Sequence, residues 1–136
     1  QASIDHVAKA SGGKVGIIGF CFGGLLAWQA AEKLSGLSAS VPYYGGGMTV
    51  GEDAQRRPTV PVMVHFGAQD HWIPLESVEA MEKALKSGSA AARLSEIHVY
   101  DNAPHAFHAD YRASYSKAEA EDGWKRMQAW FSKMKA

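Results

Sequence analysis

The 136-residue sequence contains a single cysteine, and this shortage of thiols excludes several kinds of site. One cysteine rules out an internal disulfide bond and a zinc site built from several thiolates. A lone thiol is typical of proteins that work in reducing compartments. The sequence therefore predicts a cytoplasmic location.

The sequence also lacks an excess of charge and any long hydrophobic run. Lysine and arginine total 14, aspartate and glutamate total 14, and no basic stripe is present, so nucleic acid is not an expected partner. No apolar run approaches the roughly 20 residues that cross a bilayer, and the opening residues do not resemble a signal peptide. We therefore expect no membrane partner. The 46% apolar and 21% charged residues fit an ordinary globular domain.

Motifs for the common cofactors are missing as well. The glycine-rich stretch at 19–24 is not followed by the Lys-Ser/Thr pair of a P-loop, and it lacks the full G-x-G-x-x-G dinucleotide pattern. The histidines lack the H-E-x-x-H spacing of a zinc protease. The sequence thus predicts no cofactor and no metal.

What is present is a regular alternation of apolar runs and amphipathic stretches. The order strand, helix, strand, strand, helix, strand, helix predicts an α/β fold with a mostly parallel sheet and flanking helices. The predicted strands cover 14–19, 39–44 (short because of its proline), 60–66 and 94–100, and the predicted helices cover 23–34, 75–87 and 117–134. Apolar runs at 14–19 and 60–66 indicate strands covered on both faces. Core packing at helical spacing is predicted for Trp28, Trp124, Trp130 and Phe131.

The most specific motif is G-F-C-F-G-G at 19–24, between a predicted strand and a predicted helix. It matches the nucleophile elbow G-x-[S/C]-x-G in the context that this motif requires. Small residues two before and two after Cys21 let strand and helix pass closely, and the helix N-terminus favours a thiolate. The backbone N–H of Phe22 is then an expected oxyanion donor. The alternative is a packing turn with a buried structural cysteine.

Two further candidate residues each follow a different predicted strand. Asp70 is expected to orient an imidazole, although it could instead cap a turn or the next helix. His105 is expected to be the base, although it could be a loop histidine without a role. Nucleophile, acid and base occur in the chain order of α/β-hydrolases, which favours a triad. Of the other histidines, His65 and His98 are interpreted as structural, His71 and His108 as pocket walls, and His6 as having no role.

Several segments together resemble the dienelactone hydrolase family. They are G-F-C-F-G-G, Y-Y-G at 43–45, H-F-G-A-Q-D at 65–70, H-A-F at 105–107, and the tail that ends in W-F at 130–131. The resemblance implies hydrolysis of an ester or lactone through an acyl-cysteine intermediate. It implies Cys21, Asp70 and His105 as catalytic residues and Phe22 in the oxyanion hole. The expected substrate-binding residues are Tyr44, Trp72 and Phe107.

The resemblance covers the whole chain but only the second half of the family's domain. The opening reads as a helix tail without an initiating methionine, so residues 1–136 are interpreted as a partial α/β-hydrolase domain whose N-terminal half is absent. The family's glutamate, one arginine and a second oxyanion N–H belong to that half. Ala109 occupies the place of the family's second carboxylate-binding arginine, and Arg112 is nearby without matching it. Anionic and neutral substrates therefore both remain open.

These departures lead to expectations for the chain alone. The nucleophile strand should lie at a sheet edge, which favours poor solubility, self-association or pairing with the missing half. Esterase activity of this chain alone should be negligible. The alternatives to an enzyme are a catalytically inactive hydrolase-like binding module and a truncated fragment without an independent role.

Overall fold

The computed structural model describes residues 1–51, 54 and 57–136. The predicted loop at 51–59 falls partly on residues 52, 53, 55 and 56, which lie outside the described residues. Within the described part, no helix combines the length and the apolar composition needed to cross a membrane. The helices are α1 (Ala2–Ser11), α2 (Phe22–Lys33), α3 (Leu75–Lys86), α4 (Ala90–Arg93) and α5 (Lys117–Met134), and the strands are β1 (Gly16–Phe20), β2 (Ala39–Tyr43), β3 (Met63–Gly67) and β4 (Glu96–Tyr100).

The four strands form one parallel sheet in the order β1-β2-β3-β4, which confirms the predicted α/β fold. The register places Phe20 opposite Tyr43 and Gly67 opposite Tyr100. Parallel strands end at the same edge of a sheet, so the loops after β1, β3 and β4 come together there.

The hydrogen bonds between β2 and β3 are interrupted by a proline. The N–H of Ser40 donates to the Pro61 carbonyl at 3.1 Å, and the N–H of Tyr44 donates to the His65 carbonyl at 2.8 Å. Pro42 lies between these donors on the same side of β2 and has no N–H to offer. The strand continues through the proline, but the ladder to β3 lacks one bond.

The core surrounds β2 and β3, whose residues are all buried. Because both faces of these strands are covered, they carry nearly continuous apolar runs, as predicted. Trp28 of α2 and Trp130 of α5 are buried, which confirms their predicted core positions. From α3, the buried side chains are Val78, Met81 and Leu85.

Two core predictions were wrong in their burial. Ile17 and Ile18 are only half-buried, although the strand at 14–19 was predicted to be covered on both faces. Among the described strands, β1 has a neighbour on one side only, as expected for the nucleophile strand in this chain alone. Trp124 is exposed rather than buried. Phe131 is partly buried against the core. The local pattern fixes the spacing of apolar residues but not which of them a neighbouring element covers.

The element boundaries also differ from the predicted ones. The strand predicted at 60–66 begins at Met63, and the strand predicted at 94–100 begins at Glu96. The unpredicted helix α4 ends at Arg93, and its C-cap is Leu94, the first residue of the predicted strand. Ser89 caps the other end of α4 by accepting a hydrogen bond from the Ala92 N–H at 3.2 Å. A single turn of helix carries too few residues to show an apolar period.

Candidate active site

Cys21 lies on a sharp turn between β1 and α2. Its φ of 55° is in the left-handed region, which costs a residue with a side chain about 1–3 kcal/mol. Its N–H donates to the Tyr43 carbonyl at 3.1 Å, and its carbonyl accepts from the N–H groups of Gly24 and Leu25 at 2.9 and 3.2 Å. These bonds hold the turn, and the side chain of Cys21 is exposed.

Glycines around this turn let β1, α2 and β2 approach closely. A Cβ on Gly19 would overlap the backbone of Gly23, and a Cβ on Gly24 would overlap the Tyr43 carbonyl. A Cβ on Gly23 itself would meet open space. The sequence motif therefore pointed correctly to Gly19, but the second crowded position is Gly24 and not Gly23.

Asp70 lies in the loop between β3 and α3, and its side chain has no exposed surface. One carboxylate oxygen accepts a hydrogen bond from the backbone N–H of Trp72 at 2.9 Å. The loop packs on the one after β4, because a Cβ on Gly67 would overlap the Ala103 carbonyl, which accepts from the Gln69 N–H at 3.0 Å. This close packing brings Asp70 beside His105. In the sequence, the feature that permits it is Gly67 at the end of a buried strand.

His105 joins the carboxylate to the thiol. Its Nδ1 lies 2.7 Å from the second carboxylate oxygen of Asp70, and its Nε2 lies 3.2 Å from the Cys21 sulfur. The Nδ1–H donates to the carboxylate, so Nε2 is free to accept the proton of the thiol. The imidazole is 21% exposed. The structure therefore brings the three residues into one chain of hydrogen bonds that can carry a proton from sulfur to imidazole.

A cleft of about 420 Å³ opens over the sulfur and the imidazole. Phe22 and Trp72 line it with side chains that are 68% and 79% exposed. Phe22 is the first residue of α2, so its backbone N–H has no acceptor within the helix and is suited to a developing negative charge. The other lining residues are Cys21, Gly46, His105 and Arg112.

Tyr44 and Phe107 do not line this cleft. Both are buried, and their rings pack edge to face at 5.2 Å between centroids. The Tyr44 ring also lies 5.3 Å from the His105 ring, and burial raises the pKa of its hydroxyl. The two aromatic residues thus lie behind the imidazole, whereas a predicted contact with substrate remains untested.

Arg112 lies at the cleft, whereas Ala109, in the place of the family's arginine, does not. Arg112 lines the cleft with its guanidinium carbon 5.8 Å from the centre of the exposed Tyr111 ring. Ala109 packs against the core. A cation therefore faces the cleft from a position that the sequence motif does not match.

The predicted pocket-wall positions of His71 and His108 were wrong, because neither is among the described residues that line the cleft. His65 is fully buried, and burial lowers its pKa to about 3. His98 pairs with Glu96 at 3.1 Å, and the His108 ring packs 4.9 Å from the Phe20 ring. Burial also lowers the pKa of His108. His71 is exposed and is not among the residues that line the cleft.

Comparisons with known proteins agree on one family. A model of the dienelactone hydrolase family matches residues 1–135. A protein of Escherichia coli (strain K12), provisionally named carboxymethylenebutenolidase, is 43% identical over an alignment of 146 positions that covers 96% of this chain and 52% of that protein. The chain thus spans about half the length of the curated relatives that it matches.

Solved structures give the same answer. A protein of Klebsiella pneumoniae, provisionally named dienelactone hydrolase, superposes with a TM-score of 0.82 at 40% identity, covering 96% of this chain and 59% of that one. A dienelactone hydrolase-like promiscuous phosphotriesterase from metagenomic libraries also gives 0.82, at 26% identity, covering 98% of this chain and 59% of that one. The parallel sheet and its helices are those of α/β-hydrolases.

Proposed function

The chain belongs to the dienelactone hydrolase family, and from that premise we propose that Cys21, His105 and Asp70 form the catalytic triad of a carboxylic-ester or lactone hydrolase. The observation that carries the proposal is the pair of contacts at 3.2 Å and 2.7 Å that link sulfur, imidazole and carboxylate. A buried carboxylate at Nδ1 stabilises the imidazolium that forms when the thiol loses its proton.

The first half-reaction is acylation of the cysteine. The Cys21 sulfur attacks the carbonyl carbon, and the carbonyl electrons move to the oxygen, where the Phe22 N–H stabilises the negative charge. When the tetrahedral intermediate collapses, the bond from carbon to the ester oxygen breaks, and the imidazolium of His105 protonates that oxygen. In a lactone the same step opens the ring, and the alcohol stays attached to the acyl group.

The second half-reaction releases the acid. His105 takes a proton from water, the resulting hydroxide attacks the thioester carbon, and the bond from carbon to sulfur breaks. The leaving sulfur regenerates the thiol and imidazole pair. Exposed Phe22 and Trp72 offer apolar walls, and Arg112 offers a positive charge, so both neutral and anionic esters fit the proposal.

Acylation can be tested without full turnover. We expect p-nitrophenyl acetate to release p-nitrophenolate in a burst of up to one equivalent and to leave an acetyl group on Cys21, located by peptide mass spectrometry. The Cys21→Ala variant should show no burst. An acetyl group found only on lysines, with the thiol unmodified, would contradict the proposed nucleophile and favour the inactive binding module.

Steady-state turnover by this chain alone is expected to be negligible. The resemblance to the family implies a glutamate, an arginine and a second oxyanion donor from the first half of its domain, and this chain spans about half the length of its relatives. Removal of one oxyanion donor in other hydrolases costs about a hundredfold or more in kcat. Turnover measured beyond the burst at a rate matching full-length relatives would contradict this expectation.

We propose that the β1 edge binds the remaining half of the family's domain and drives self-association when that half is absent. Among the strands that the structure describes, β1 has a neighbour on one side only. Beside it is an apolar hollow whose lining includes Ile4, Ile17, Leu26, Ala30 and Leu34. Unpaired strand edges with apolar neighbours are templates for pairing.

Light scattering across a range of protein concentrations tests this surface. We expect a species larger than a monomer, and Ile17→Lys should return it to the monomer. Val99→Lys is the matched control, because Val99 is an accessible β-branched residue that lies on β4 at the opposite sheet edge. A wild-type chain that stays monomeric at all concentrations would refute self-association through β1.

We also propose a reducing location such as the cytoplasm, since the only cysteine is the nucleophile and oxidation would inactivate it. Fractionation of the source cells with detection of the protein tests this location.

A further inference from the structure

Backbone strain is concentrated around the proposed triad. In the described part of the chain, the residues other than glycine with positive φ are Cys21 (55°), Tyr44 (34°), Ala106 (59°) and Lys135 (55°). Lys135 caps the C-terminus of α5. The other three lie in or next to the site, where strain persists only if the surroundings impose it. The mechanism accounts for Cys21 and for the turn beside His105, but it does not use Tyr44.

Tyr44 contacts three residues of the loop that carries the base. Its ring lies edge to face with His105 at 5.3 Å and with Phe107 at 5.2 Å. Burial raises the pKa of its hydroxyl, and the nearby backbone of His108 partly offsets that rise. Its own N–H donates to the His65 carbonyl at 2.8 Å, which fixes it to β3.

The imidazole of His105 needs a rigid surface behind it to stay in place. The hydrogen bond to Asp70 holds only Nδ1, so the ring can still swing about that bond and carry Nε2 away from the sulfur. The ring contacts described for His105 are with Tyr44 and with Trp72, the latter at 6.4 Å. Trp72 is largely exposed, whereas Tyr44 is buried. Tyr44 is therefore the rigid surface behind the imidazole.

Resting on the proposed triad, we propose that Tyr44 is a positioning residue that keeps Nε2 of His105 against the Cys21 sulfur. Its strained backbone places the ring behind the imidazole, and its hydroxyl holds the 105–108 loop. The residue acts through His105 and not by contact with substrate.

Tyr43 supplies a matched control. It is the preceding residue, it is equally buried, and its hydroxyl has no hydrogen-bond partner among the described residues. Its ring contacts Phe107 and His108 but is not in contact with His105. Tyr43→Phe and Tyr44→Phe therefore each remove one buried hydroxyl, and only the second weakens the support of the base.

The test is the rate at which iodoacetamide alkylates the only cysteine, measured near pH 6 and near pH 10. The thiolate is the form of the cysteine that attacks iodoacetamide and displaces iodide. Near pH 6 we expect that thiolate to form only when the imidazolium lies beside the sulfur, whereas near pH 10 a thiolate forms without the imidazolium. Displacement of the imidazole should cost about threefold in Tyr44→Phe and about tenfold in Tyr44→Leu near pH 6. Near pH 10 all variants should agree within about twofold, and Tyr43→Phe should match the wild type at both.

The outcomes separate this inference from the proposed function. If His105→Ala leaves the rate near pH 6 unchanged, the triad itself is wrong. If His105→Ala lowers that rate but Tyr44→Phe and Tyr44→Leu do not, only the role of Tyr44 is refuted. Equal losses in Tyr43→Phe and Tyr44→Phe would show general loosening of the core and would also overturn it.

Discussion

Two clusters in this molecule use the same residue types, but only one is suited to move a proton. At the cleft, His105 contacts Asp70 directly and is partly open to solvent. Against α5 lies a second cluster, named the sealed cluster after the fully buried His65 and Tyr43 at its centre. It also includes Tyr100 and the half-exposed Asp122 of α5. There the Tyr100 hydroxyl donates to Asp122 at 2.9 Å and lies 3.4 Å from Nδ1 of His65.

The difference lies in what stands next to the ring. The carboxylate at 2.7 Å can balance a positive charge on His105. A neutral hydroxyl separates His65 from its carboxylate, and burial lowers the pKa of His65 to about 3. His105 is thus arranged to accept a proton, and His65 is arranged to remain neutral. Each has an aspartate nearby, but His105 contacts Asp70 directly, whereas the Tyr100 hydroxyl stands between His65 and Asp122.

The largest contrast is expected between two aspartate variants. Asp70→Asn presents an amide to Nδ1 of His105 and favours the wrong tautomer, so Cys21 acylation by p-nitrophenyl acetate should slow by roughly a thousandfold or more. Asp122→Asn should leave the acylation rate within about twofold, because Asp122 belongs to the sealed cluster and has no contact with the triad. The burst phase followed by stopped flow measures both. Equal losses of acylation rate in the two variants would show that the clusters do not differ in their role.

Two glycine variants come next in size. Gly67→Ala forces a Cβ into the Ala103 backbone and should cost about 3 kcal/mol of the free energy of unfolding. The atoms nearest to a Cβ on Gly123 belong to the Tyr43 and Tyr100 side chains, whose hydroxyls lie at 3.2 and 3.4 Å. Gly123→Ala also gains helix propensity. Its change should stay within about 1 kcal/mol. Urea denaturation compares them, and a loss larger for Gly123→Ala would reverse the ranking.

The sealed cluster should make stability depend on pH. The folded-state pKa of His65 is about 3 and its ordinary value is 6.5, so between these values the unfolded chain binds a proton that the folded chain does not. Stability is therefore lost as pH falls below 6.5, by about 2 kcal/mol at pH 5. Urea denaturation at pH 7 and pH 5 should show this loss, and His65→Phe should reduce it. An unchanged slope in His65→Phe would assign the loss to other groups.

The smallest effect concerns the rim of the sealed cluster. Arg126 donates from Nε to Asp122 at 2.6 Å, and this bond lowers the pKa of the carboxylate, but both side chains are nearly half exposed. Arg126→Gln should therefore cost less than about 1 kcal/mol, and less still at high salt. Thermal unfolding in low and high salt checks this value. A larger cost that persists in high salt would show that the rim supports the buried residues.

Local patterns made the catalytic half of this comparison predictable. The elbow around Cys21 depends on residues adjacent in sequence, and Asp70 and His105 each follow a strand whose apolar run is visible. Parallel strands end at one edge, so their placement together follows from the fold class. The resemblance to the family added the same three positions.

The sealed cluster was not predictable by the same means. It depends on which side chains α5 covers, and that packing joins Tyr100 to Asp122 across 22 positions of the chain. The exposed Trp124 and the half-buried β1 were misjudged for the same reason, since spacing alone does not say which element lies opposite. The burial of Tyr44 depends on a positive φ that a non-glycine residue does not announce in a sequence.

The gap that Pro42 leaves in the backbone ladder divides the sheet along a seam between β2 and β3. Cys21 is carried by the half on one side, while Asp70 and His105 are both carried by the half on the other. A shear along this seam would lengthen the path from sulfur to imidazole and leave the link from imidazole to carboxylate unchanged. The nucleophile is therefore the member of the triad whose alignment reports any slippage within the sheet.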